Sequence, residues 1–338
     1  MKETRPFLMN LLRTRSVTGH TADAMKMVRE KLEETGVETR VSSKGSLVAT
    51  IHGASDEGII VSSHIDTLGA MVSRIESDGT LKYRCIGGYT PNSIEGEYCT
   101  VETFDGKLLS GTILFSKTSV HAWGREECSK KRTHETMYVR LDETVCSRED
   151  AEKLGVSTGN FVHFDPRAAE MPSGYIKSRH LDDKAGVAAA VSAAEALSGR
   201  KLPRTVHFLF TVHEEVGHGA AGWLPANVTE FLAVDMGVCG SEQASSERKV
   251  TICAADSSGP FNYEMVKKLM ALAEENGIPW VVDTFPFYGS DAAAALRMGL
   301  DAKHGLIGPG VDTSHAVERT HLEGIKAAAD LIAAYALS

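Results

Sequence analysis

An alternation of helical and strand-like segments opens this 338-residue chain, stops near Ala70, and resumes only after Gly174. A chain patterned this way must close one α/β unit around an excursion of roughly a hundred residues, which is long enough to form a core of its own. On the outer side, Met25, Val28 and Leu32 recur at helical spacing between Thr21 and Thr35, and Gly36 follows as a stop. Ser46–Ile51 and Gly58–Ser63 are short apolar runs bounded by turn residues and predict strands, the second ending at His64. Inside the excursion, runs such as Tyr98–Phe104 followed by Asp105-Gly106-Lys107 predict short strands and turns, hence a small β-barrel. Beyond it, an Ala-rich helix spans Lys184–Leu197, strands follow at Thr205–Val212 and Phe231–Val234, and a helix at Tyr263–Asn276 precedes a strand at Pro279–Thr284. Ser290 is placed to cap a helix through Ala292–Ala295, and Leu322–Ala336 predicts a closing helix. The expected architecture is α/β, a mixed sheet with helices on both faces (1–69 and 175–338) interrupted by an inserted β-barrel (70–174).

Composition excludes several functions. A net charge of −9 argues against a nucleic-acid surface, because phosphate binding needs clustered Lys and Arg, and the brief basic run Lys130-Lys131-Arg132 follows Glu126-Glu127. No segment is long and apolar enough to cross a bilayer, and the basic start MKETRPFLMNLLRTRS lacks the apolar run of a secretory signal, so a cytoplasmic location is expected. The six cysteines form no C-x-x-C pair and are expected to be reduced packing residues.

In open α/β sheets ligands bind beyond the carboxyl ends of the strands. Three predicted strands end in polar residues there: His64 and Asp66; His213, Glu214 and Glu215; and Asp235. One acidic residue at a strand end is ordinarily a turn former or helix cap, but three such ends together point to a site. Imidazoles mixed with carboxylates, which can bridge two cations, suit a two-metal hydrolytic centre. Asp66, two residues after His64, is placed to hold one ring N–H of a histidine whose other nitrogen binds metal. Asp182 and Asp183 precede the Ala-rich helix, where they either favour its N-terminus or supply a bridging carboxylate. His213-Glu214-Glu215-Val216-Gly217-His218 invites a zinc-peptidase reading, but that motif needs histidines four apart on a helix, and these are five apart around a glycine. What survives is the Glu214-Glu215 pair, one carboxylate available to a metal and the other to a proton. His315, in the glycine-rich stretch Gly310–His315, would bring a second imidazole. No phosphate-binding loop or G-x-S-x-G elbow is present.

The runs SSHIDTLGAMV, SRHLDDKAGVAAAV, FTVHEEVGHGA, AVDMG, YGSDAAAA and GVDTSHAVERTHL, in this order, resemble the family-42 metallo-aminopeptidases, which include glutamyl and tetrahedral aminopeptidases. The resemblance implies two divalent ions per subunit, zinc or cobalt with manganese as a variant. It makes His64 and Asp235 ligands of one, Glu215 and His315 ligands of the other, and Asp182 the bridge, followed by a cis peptide. It makes Asp66 the orienter of His64 and Glu214 the general base. It further implies short peptides with an unblocked N-terminus as substrates, and a homo-oligomer, a dodecamer, built through the inserted domain. The sequence around His315 departs from that of many relatives, which bears on substrate preference. Competing readings are a two-metal deacylase or carboxypeptidase, separable by substrate, and a glycosidase, whose paired carboxylates would need no metal set. A non-catalytic metal protein would have no use for Glu214.

Overall fold

Four parallel strands lie side by side at the heart of the larger unit: Arg204–Thr211, Ser55–His64, Val228–Val234 and Lys303–Asp312. Each has a run of buried residues through its inner stretch, as strands covered on both faces must have, and Phe208, Phe210 and Phe231 are wholly buried. Burial of one such side chain contributes about 1.5–3 kcal/mol. Antiparallel strands extend the sheet, Glu38–Val41 and Leu47–Ile51 on one side and Val250–Asp256 against Lys303–Asp312 on the other, so the sheet is mixed. The computed structural model describes residues 3–338.

The chain divides into two compact units, 3–67 with 167–338, and 68–166. Residues 167–174 go with the larger unit because Ala169–Glu170 pairs with Tyr175–Ser178, which pairs in turn with Glu318–His321. The smaller unit is a closed six-stranded barrel, Gly69–Ile75, Leu81–Ile86, Met137–Leu141, Leu108–Phe115, Tyr98–Glu102 and Phe161–Phe164 in spatial order. Val72, Leu81, Val101, Ile113, Val139 and Val162 fill its interior. The α/β expectation with an inserted barrel is therefore met.

In the larger unit, helices Leu181–Leu197 and Asp291–Arg297 both pack on Ser55–His64 and its neighbours, and Leu322–Ala336 lies against Leu181–Leu197. The alanines of Leu181–Leu197 let its backbone approach closely, and nearly every side chain in it is buried. Lys184 is buried too, its Nζ donating to the carbonyls of Leu11 (2.9 Å) and Thr14 (2.7 Å) at the end of helix Thr4–Arg13. Burial draws the Lys184 ammonium down to about 7.

Residues 310–312, the start of the glycine-rich stretch leading to His315, belong to the ten-residue central strand rather than to a loop. Helix Thr4–Arg13 was not foreseen. Ser290 stands at the N-cap position of Asp291–Arg297 without its hydroxyl accepting a capping hydrogen bond. Among the described residues no disulfide forms, and no helix is long and apolar enough to cross a membrane.

Candidate metal centre

The register of the parallel strands assembles the site. Thr211 is aligned with His64, Ala233 with Ser62, and Val234 with Ile307, so Arg204–Thr211, Ser55–His64 and Val228–Val234 finish at nearly one level while the fourth strand runs on past Ile307 to Asp312. His64 closes its strand, Glu214 and Glu215 follow Thr211, Asp235 follows Val234, and His315 follows Asp312. Asp182 comes from the first turn of Leu181–Leu197, where it and Asp183 leave helical geometry and share a cis peptide bond.

One ligand atom each of His64, Asp182 and Asp235 lie within 4.8 Å of one another, and so do those of Asp182, Glu215 and His315. Asp182 is common to both groups and divides its oxygens between them: Oδ1 is 3.2 Å from His64 Nε2, and Oδ2 is 3.2 Å from His315 Nε2. His64 Nε2 also lies 3.8 Å from Asp235 Oδ2, and His315 Nε2 lies 3.6 Å from Glu215 Oε2. Glu214 Oε2 stands 3.9 Å from His64 Nε2. The structure thus brings together all five residues expected as ligands, with Glu214 beside them.

Asp66 is fully buried, but its carboxylate is not spent on the imidazole as expected. The His64 Nδ1–H donates to the Asp66 carbonyl (3.0 Å), while the carboxylate lies 3.7 Å from that nitrogen. The carboxylate instead accepts from the backbone N–H of Glu214 (3.0 Å) and Glu215 (3.3 Å) and from the Thr18 hydroxyl (2.6 Å). It thereby fixes the turn that presents both glutamates. The far end of that loop is pinned by Lys44, which donates to the carbonyls of His218, Gly219 and Ala221, and by Asp291, which accepts from Ala220 N–H (2.8 Å), Ser62 Oγ (2.9 Å) and Thr211 Oγ1 (2.6 Å). Residues 214–216 form a single tight turn, and the rings of His213 and His218 stack on each other 5.0 Å apart. No zinc-peptidase helix forms.

Sequence reasoning passed over Lys44, Asp291, Glu318 and Tyr288. Tyr288 donates to the Met236 carbonyl (3.1 Å) beside Asp235. Asp183, half of a pair left open by the sequence, accepts from Ser63 Oγ (2.5 Å) and His64 N–H (3.3 Å) and so supports the strand end under His64.

The charge balance tests whether a cation suits these donors. Burial raises the carboxyls of Glu214 and Glu215 well above the usual range, helped by neighbouring carboxylates. Burial and the nearby Asp182 push Asp235 up to about 7. Burial would lower His64, but the hydrogen bond with Asp182 and the surrounding carboxylates raise it well above an ordinary imidazole. Burial would raise Asp182 also, yet the hydrogen bonds from His315 and His64 hold it below the usual carboxylate range. Nearly every group therefore leans toward taking up a proton, the signature of buried negative charge lacking a positive partner. Divalent ions would supply that charge, and with Nδ1 of His64 donating to a carbonyl, its Nε2 is the nitrogen turned to the carboxylates. The donor set fits.

The sequence pattern of the M42 glutamyl aminopeptidase family matches residues 45–331. The YhfE protein of Bacillus subtilis (strain 168) is 45% identical over all of this chain and 98% of its own length. Aminopeptidase APDkam598 from the archaeon Desulfurococcus kamchatkensis is similar in structure with a TM-score of 0.90 and 22% identity, covering 100% of this chain and 95% of the other. The Pyrococcus horikoshii TET1 peptidase, which can assemble into a tetrahedron or a large octahedral shell, has a TM-score of 0.87 and 24% identity, covering 99% of each chain.

Proposed function

The chain belongs to the M42 glutamyl aminopeptidase family, and from that premise we propose that it removes N-terminal residues from short peptides at a two-metal centre with Glu214 as general base. The observation that carries this reading is the pair of ligand groups hinged on Asp182, with a further carboxylate, Glu214, beside them. His64, Asp182 and Asp235 would hold one ion, Asp182, Glu215 and His315 the other. When bound, the two ions would polarise the scissile carbonyl and make a water nucleophilic at neutral pH. Zinc and cobalt suit the mixed imidazole and carboxylate set, and manganese would be accepted.

The chain's own residues do the rest. Glu214 Oε2 takes the proton of the attacking water and returns it to the departing amine. Asp66, through the N–H groups of Glu214 and Glu215, keeps the base and the ligand apart on one turn. A substrate's free amino group would be received by the carboxylates of the centre, which a blocked N-terminus could not satisfy.

A panel of aminoacyl p-nitroanilides with zinc, cobalt and manganese tests the reading, with N-acyl amino acids as the contrast. Cleavage is expected of the free-amino series alone. Turnover of N-acyl amino acids in its place would make the protein a deacylase.

The barrel supplies none of the proposed ligands, and we assign it to assembly into a homo-oligomer, a dodecamer by analogy with the tetrahedral relatives. A closed assembly in the cytoplasm would admit short unfolded peptides and spare folded proteins. Light scattering at micromolar concentration is expected to give a mass several times that of one 36.4 kDa chain, and twelve times for the closed shell. A mass near one chain would refute assembly.

A further inference from the structure

His315 sits in a five-residue connection, 313–317, between the strands Lys303–Asp312 and Glu318–His321. Thr313 (φ +56°) and His315 (φ +62°) both adopt the left-handed conformation, which L-residues hold only when their surroundings impose it. Directly after this turn stands Glu318, 1% exposed, paired in the sheet opposite Ser178.

Its two carboxylate oxygens go to two different partners. Oε1 accepts from the backbone N–H of His315 (3.0 Å), and Oε2 accepts from the backbone N–H of Asp182 (3.1 Å). A single buried carboxylate therefore ties together the main chains of two residues whose side chains approach to 3.2 Å. The remaining members of the site have other anchors. Glu215 is held through Asp66, His64 through the Asp66 carbonyl, and the Asp235 carboxylate accepts from Met236 N–H (2.6 Å).

We propose that Glu318 is a positioning residue for the Asp182, Glu215 and His315 group, setting the affinity for the ion held there far more than for the ion held by His64, Asp182 and Asp235. This rests on the two-metal reading. His315 belongs to one group only, so loosening its main chain spares the other. Asp182 belongs to both, but its Oδ1 keeps its place against His64, which Glu318 does not touch.

Glu318→Gln is the test. The amide keeps size and one acceptor but turns an NH₂ toward a backbone N–H, so one of the two hydrogen bonds becomes a contact between donors. Metal-free wild-type and variant proteins are titrated with cobalt(II) by calorimetry, with bound metal counted by elemental analysis and the fold checked by circular dichroism. The variant is expected to bind its first ion as the wild type does and its second about 10–100-fold more weakly, the usual cost of losing a residue that orients a ligand. Two ions at wild-type affinity, or equal weakening of both, would overturn the proposal. A wild-type protein taking fewer than two ions would overturn the two-metal reading itself. Glu318→Asp, which keeps the charge but withdraws it by one methylene, gives a second measurement if the amide variant fails to fold, and the same order of affinities is expected.

Discussion

Replacing Glu214 by glutamine is expected to lower kcat by about 10²–10⁴-fold, the usual worth of a general base, while the protein still binds two ions. Glutamine matches glutamate in shape, and the turn that carries residue 214 is held by its backbone N–H on Asp66, which the substitution leaves in place. Only the ability to accept the water's proton is removed. Single-turnover kinetics with elemental analysis of the same sample separate the possibilities. If the variant loses an ion, Glu214 is a ligand, and the roles of Glu214 and Glu215 must be exchanged.

Exhaustive chelation should abolish peptidase activity, and zinc, cobalt or manganese should restore it. The ions supply several kcal/mol to the transition state, which at 1.36 kcal/mol per decade is a loss of roughly 10³-fold or more. Because Asp182 serves both groups, Asp182→Asn should resemble the chelated protein and resist rescue by added metal. Full activity in protein shown by elemental analysis to be metal-free would exclude the two-metal reading.

His64, Glu214, Glu215 and Asp235 were legible because each follows a run of buried apolar residues, and a polar residue at the end of such a run is conspicuous. His315 stood out only as a histidine near glycines, since the strand leading to it is disguised. Two glycines and a proline argue against a central strand, yet a Cβ on Gly308 would lie 1.4 Å from the Asp235 carbonyl oxygen, and one on Gly310 would lie 2.1 Å from that of Ser246. Close approach of neighbouring chains decides those residues, and one-dimensional pattern cannot express it. Asp291 and Glu318 were missed for a related reason. Their partners are hydroxyls and backbone N–H groups 71 to 229 residues away for Asp291, and an N–H 136 residues away for one oxygen of Glu318. Such pairings leave no spacing to recognise. Helix Thr4–Arg13 has a plain apolar face in Phe7, Leu8, Leu11 and Leu12, but a proline in its first turn masks the start.

The fixed register of the four parallel strands makes the centre a gauge of alignment. Sliding any one strand by a single residue would carry its donor about 3.3 Å along the sheet and turn its side chains to the opposite face. Length is therefore constrained unequally along the chain. A residue gained or lost within Ser55–His64, Arg204–Thr211, Val228–Val234 or Lys303–Asp312 dismantles the centre, whereas the connections that feed these strands from their amino ends can grow or shrink without disturbing it. The protein's history of insertions and deletions should be written in those connections, and beyond the carboxyl edge only past the ligands, where the barrel enters after Thr67, never within the strands themselves.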